Sequence, residues 1–270
     1  MTIIPDSVAL PFIIFIGASI GSFLNVVIHR VPLKLSIIKP SSHCISCKTS
    51  IKLFHNIPII SYLLLSGKCR YCNTKFSSRY LLIEILSTII TLILYFIFGQ
   101  STYFISYCIL SYLLIAVTFI DIDHLIIPNG IVIIGIVLTI IISYLSWLPI
   151  HIQWIDGLKG ALLFSGFLFT IGLIGQFILK KESIGFGDTK LALILGGFLG
   201  VEHSILALYL SFALSAVMIF VFLGMKKIKR STKIPFGPFL STGTIITILS
   251  QTPPFIGGNY LLNWYYNTMF

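Results

Sequence analysis

Charge is scarce in this 270-residue chain: Lys, Arg, Asp and Glu together make up 10% of it, and only 8 residues are acidic. Hydrophobic residues supply 57%, and the mean hydropathy is +1.02. A soluble globule of this composition would aggregate, which excludes the soluble enzyme classes and puts the chain in a bilayer. Period-two alternation is also missing, which excludes an outer-membrane barrel. In lipid a spanning segment must satisfy its own backbone, so the spans are helices. No basic stretch precedes the first apolar run, which starts after Asp6. It is expected to be a retained helix and not a cleaved signal peptide. No internal repeat or low-complexity tract is evident.

Apolar runs of about 20 residues, enough to cross a bilayer, occur near 8–28, 80–98, 103–120, 130–148, 158–179, 204–225 and 238–256, with a shorter one at 190–201. The expected fold is an all-α polytopic membrane protein of about eight transmembrane helices with a small cytoplasmic zinc-binding loop domain. Its expected divisions are a first helix (1–28), a four-cysteine loop (29–79) and a seven-helix membrane core (80–270). With the N-terminus outside, segments 29–79, 121–129, 180–190 and 226–237 are cytoplasmic and hold nine, none, three and five Lys/Arg, or 17 of the 18. That bias fixes the orientation. It also accounts for the net charge of +10 without nucleic acid. The basic run from Lys226 to Lys233 is expected to meet anionic lipid.

Segment 29–79 has no Asp or Glu and is too short for a core of its own. It contains Cys44-x-x-Cys47 and Cys69-x-x-Cys72, separated by 21 residues. Two such knuckles offer four thiolates to a structural zinc, and a reducing cytoplasm disfavours the alternative of two disulfides. His43 and His55 are expected to be solvated, and Cys108, within an apolar run, to be a small packing residue.

Acids at a membrane are costly and ask for an explanation. Asp6, Asp156 and Glu202 fall at expected outer edges, where solvation suffices. Asp121 and Asp123 end the third span and Asp188 starts the sixth, all at one depth. Two carboxylates sharing a site retain one proton between them, the state in which one activates water and the other donates to a peptide carbonyl. Capping or pairing with Lys190 is the structural alternative for Asp188. Asp121 and Asp123 lie on nearly opposite sides of a helix, and physics alone does not choose between them. Glu84, about one turn inside the second span, either pairs with Arg79 or Lys75 or orients a cationic amine. Ser22 and Asn25, beside Gly21 on the first span, serve helix packing or substrate contact.

These residues together resemble the bacterial prepilin peptidase (type 4 prepilin leader peptidase) family of GxGD aspartic proteases. The resemblance is carried by GSFLNVVIHRVP at 21–32, IPIISYLLLSGKCRYC at 57–72, FIDIDHLIIPN at 119–129, GFGDTKL at 185–191 and IPFGPFL at 234–240. It implies Asp121 and Asp188 as the catalytic pair, with Asp123 a neighbour. It implies cleavage of the basic leader of prepilins or pseudopilins after a glycine at the cytoplasmic face of the bacterial inner membrane, in type IV pilus, type II secretion or competence systems. It further implies N-methylation of the new terminus from S-adenosylmethionine. The chain shows no strand-turn-helix glycine fingerprint of a soluble methyltransferase, so the cofactor-binding residues are unassigned, with Glu84 the candidate. A GxGD protease acting on other membrane substrates is a competing expectation, weakened because Ile120 and not Tyr precedes Asp121. A proton-coupled transporter is another, weakened because the acids lie at one face.

Overall fold

The computed structural model describes residues 4–44, 46–147, 154–179, 185–226, 233–251 and 259–269. Helix is the regular secondary structure of the described residues, with only isolated bridges and no sheet among them. The chain falls into two compact units, residues 1–96 and 97–270.

The first unit holds α1 (Asp6–Arg30), a short 3-10 turn (Leu53–His55), α2 (Ile60–Leu64) and most of α3 (Ser78–Phe98). Apolar helices gain little from burying side chains that lipid already solvates, so close contact and buried hydrogen bonds must join them. Gly17 and Gly21 provide the contact: a Cβ at Gly21 would stand 2.7 Å from the Glu84 Cα, and one at Gly17 3.0 Å from that of Thr88. Ser87 Oγ donates to the Gly17 carbonyl at 2.8 Å, and Asn25 Nδ2 to that of Tyr80 at 3.1 Å. Near the other end, Tyr95 donates its hydroxyl to Asp6 Oδ1 at 2.6 Å, giving Asp6 a partner that its position in the sequence does not announce. Arg30 closes α1 by donating to the carbonyls of Ser36 and Pro40 at 2.9 and 2.8 Å, so this cation organises the loop it enters.

The second unit contains α4 (Thr102–His124), α5 (Asn129–Tyr144), α6 (Trp154–Leu179), α7 (Phe186–Gly224), α8 (Gly237–Leu249) and α9 (Tyr260–Met269). Ser101 caps α4 by accepting from the Phe104 N–H at 3.2 Å. The α4 residues Tyr107, Leu110, Leu114, Val117 and Ile120 are fully buried, as are Leu191, Leu195 and Leu199 of α7 and Leu240 of α8. α7 carries the expected runs 190–201 and 204–225 as two arms, broken at Gly200 with φ 69° and ψ −174°. Only glycine adopts that backbone readily. Among the described residues five helices, α1, α3, α4, α6 and α7, are long and apolar enough to cross a membrane. α5 and α8 are apolar but have 16 and 13 residues. The expected runs 130–148 and 238–256 are helical as far as Tyr144 and Leu249, and beyond them 148–153 and 252–258 lie outside the described residues. So do 180–184 and the interior of the basic run, 227–232.

Backbone meets backbone where α6 crosses α7. A Cβ at Gly160 would lie 2.7 Å from the Gly200 oxygen, and one at Gly157 2.9 Å from that of Gly197. Gly166, on the same helix, meets nothing within 4 Å. Gly160→Val is therefore expected to lower stability by about 1–3 kcal/mol through overpacking, whereas Gly166→Ala should leave it unchanged or raise it by about 1 kcal/mol through helix propensity. Melting in detergent checks the pair, and equal melting temperatures for the two variants would contradict the contact.

Candidate functional site

The last turn of α4 and the first turn of α7 meet through the segment that follows α4. Leu125 turns the chain out of the helix in the left-handed conformation (φ 54°, ψ 36°), and its N–H returns to the Asp121 carbonyl at 2.9 Å. Pro128 then leads into α5 as its N-cap. Gly187 seats α7 against this turn, since a Cβ there would lie 3.1 Å from the Ile127 Cβ. Lys190 secures the join by donating Nζ to Asn129 Oδ1 at 2.9 Å, 4.6 Å above the Phe186 ring.

Asp121 and Asp188 are thereby brought within electrostatic reach of each other, at 5% and 8% exposure. A third segment completes the arrangement. The Gly237 N–H at the start of α8 donates to Asp121 Oδ2 at 2.9 Å, and a Cβ on Gly237 would lie 2.7 Å from that oxygen. On the other side, a Cβ on Gly185 would lie 3.0 Å from Asp188 Oδ2. Each carboxylate thus rests against a glycine. A helix N-terminus and its free N–H groups favour a negative charge at Asp121. Asp123 and His124 are exposed. Sequence reasoning overlooked Gly237 itself; the helix-start pattern of Gly237 followed by Pro238 was the available clue.

In the first unit the Sγ atoms of Cys44, Cys47, Cys69 and Cys72 all lie within 4.8 Å of one another. Cys44 to Cys72 is 3.7 Å and Cys47 to Cys69 is 4.0 Å. Zn–S bonds of about 2.3 Å in a tetrahedron require sulfur separations of about 3.8 Å, so this donor set fits zinc; it is far from the bonding distance of a disulfide. The knuckles are built alike. The Cys44 N–H donates to the Thr49 carbonyl and the Cys69 N–H to that of Thr74, at 3.0 and 2.9 Å. Lys48 and Asn73, both with φ of 56°, make the turns. The shared pattern Cys-x-x-Cys-x-Thr at 44–49 and 69–74 is a local repeat that a search at the scale of whole domains overlooks. The Thr74 hydroxyl, 3.1 Å from Cys72 Sγ, holds that thiol down at about 6, and Thr49 acts in the same direction on Cys47.

Glu84 is buried on α3. Its Oε2 accepts from the Ile59 N–H at 2.7 Å, and the Ser22 hydroxyl also donates to it. Both donors are neutral. Asn25 and Gly21 join helices, while Ser22 holds an acid.

Residues 15–98 match the family model described as the bacterial peptidase A24 N-terminal domain, and residues 108–220 match that of the type IV leader peptidase family. Over 87% of its length the chain is 33% identical to the type 4 prepilin-like proteins leader peptide-processing enzyme of Escherichia coli O78:H11, covering 91% of that protein. It is 30% identical to a prepilin leader peptidase/N-methyltransferase of Pseudomonas putida, with 87% of this chain and 88% of that one covered. A Pseudomonas aeruginosa protein of the same name is 29% identical over the same shares. No solved structure matches at a significant level.

Metal retention should follow the thiols. Because the folded pKa of Cys72 lies below the ordinary thiol value, the thiolate is present above about 6 and is lost as pH falls through it. The expected outcome is one zinc per chain at neutral pH, released progressively below about pH 6 as protons compete for sulfur. Metal analysis after dialysis at stepped pH checks this, and zinc retained equally at about pH 4 would contradict a four-thiolate site.

Proposed function

Because the chain belongs to the type IV leader peptidase family, we propose that it removes the leader from prepilins or pseudopilins with Asp121 and Asp188 as its catalytic pair, and N-methylates the new terminus. The observation that carries this reading is the pair of buried aspartates from separate segments, of which Asp121 accepts from the Gly237 amide. Two carboxylates so close hold one proton between them. Asp121, facing the α8 N-terminus, carries the charge and takes a proton from the attacking water. Asp188 gives its proton to the carbonyl oxygen. As the water oxygen bonds to the carbonyl carbon and the C–N bond breaks, the leaving amine takes up a proton.

The four thiolates are proposed to hold a structural zinc that leaves no open position for catalysis. S-adenosylmethionine would supply the methyl group, and the chain's part is to hold the freed amine where it can receive it. Counting the two arms of α7 separately, with α5 and α8 as full crossings, gives eight spans. The seven-helix core from residue 80 onward would then carry the acids at the cytoplasmic face of the bacterial inner membrane, as the distribution of Lys and Arg favours.

Asp121→Asn and Asp188→Asn are each expected to abolish cleavage of a prepilin in detergent while the protein stays folded, and Asp123→Asn to keep it. Gly237→Ala should slow cleavage about 10²-fold by pushing the amide off the carboxylate. Product mass, with and without S-adenosylmethionine, reads both activities. A silent Asp123→Asn beside an active Asp121→Asn would refute the chosen pair.

A further inference from the structure

The first unit carries a half-open cavity of about 450 Å³ between the C-terminal end of α1, the N-terminal end of α3 and the folded-back cysteine loop. That is large enough for a nucleoside with a side arm. Glu84 is the one acid among its lining residues. Tyr62 and Tyr80 supply aromatic surface, and the cations are Lys39, Lys68 and Arg30, the last donating to the Ser36 and Pro40 carbonyls. His55 also lines it, with its Nδ1 sealed from the open space.

We propose that this cavity is the methyl-donor site and that Glu84 is the counter-ion of the donor's sulfonium. The proposal rests on the methyltransferase reading above and deepens it by naming the site. The burial that makes a lone carboxylate expensive is offset when a cation arrives, and the present donors to Glu84, the Ile59 amide and the Ser22 hydroxyl, fix its position without neutralising it. An adenosyl sulfonium amino acid carries the features that match the lining: a flat base for the tyrosines, hydrogen-bonding atoms for His55, a carboxylate for Lys68 and a cation for Glu84. In the transfer, the lone pair of the freed amine forms the N–C bond and the C–S bond breaks. Its electron pair stays on sulfur as a neutral thioether, and the amine releases a proton to water. The charge that Glu84 holds therefore disappears from the ligand on turnover, which favours product release.

Calorimetric titration of the full-length protein in detergent separates the charge from the shape, using three probes: S-adenosylmethionine, the amine analogue sinefungin, and S-adenosylhomocysteine, whose sulfur is an uncharged thioether. Glu84→Gln is expected to weaken the two cations about tenfold and to leave the thioether within about twofold. His55→Ala, which removes a side chain from the loop and not from a helix, should weaken all three alike. Zinc content and melting temperature establish that each variant is folded, and if Glu84→Gln does not fold, His55→Ala decides alone. Wild type that methylates, together with variants that bind all three probes as it does, would overturn this site and leave the methyltransferase reading standing. Wild type that cuts prepilin but neither binds the cations nor methylates would overturn both. Equal weakening of all three probes by Glu84→Gln would also overturn the counter-ion assignment.

Discussion

A buried carboxylate has little water to solvate it, and the second unit meets that cost with backbone. Asp121 is bonded to a main-chain amide at the start of α8, an amide that can approach only because residue 237 has no side chain. The constraint spreads outward. α8 must begin at Gly237, Ile127 must pack on Gly187, and Lys190 must reach Asn129 to hold α7 in place. Three sequence segments far apart in the chain are thus tied to one acid, and substitutions at any of them act through its position.

The same economy governs how the helices hold together. In water a helix pair is joined by burying Leu and Ile; here those residues face lipid at little gain, and exposed Phe, Ile and Leu line the long helices. Cohesion falls instead to Gly17, Gly21, Gly157 and Gly160, and to hydroxyls such as Ser87 that satisfy carbonyls across the gap. The glycines matter for what they leave out, and the hydroxyls for the bonds they make.

Much of this was legible in the residues. Hydropathy located α1, α3, α4 and α6 to within a few residues, because a span in lipid has no alternative to helix. The cysteine spacing anticipated the four-thiol cluster. The gap between the runs 190–201 and 204–225 fell beside the break at Gly200; what hydropathy could not show was that helix continues through both arms, or the lengths of α5 and α8. Nor could it reveal that Asp121 is buried and Asp123 exposed, which depends on the direction from which α8 arrives. The Gly237 contact was hidden for a related reason: a backbone donor leaves no side-chain signature, and only a missing Cβ marks it. Glu84 was visible as an anomaly, but its neutral partners, one of them an amide 25 residues away, were not.

The twin knuckles have a thermodynamic consequence for the loop that carries them. His43 and Lys68 stand immediately before Cys44 and Cys69, and both line the cavity. The metal that clamps the two pairs therefore also sets the spacing of two of the cavity's walls. Zinc and a ligand in that cavity would then be linked quantities: whatever factor one adds to the affinity of the other is returned in full. A zinc titration run with and without the ligand measures that factor directly, and a value of one would mean that the clamp and the cavity are independent despite sharing a loop.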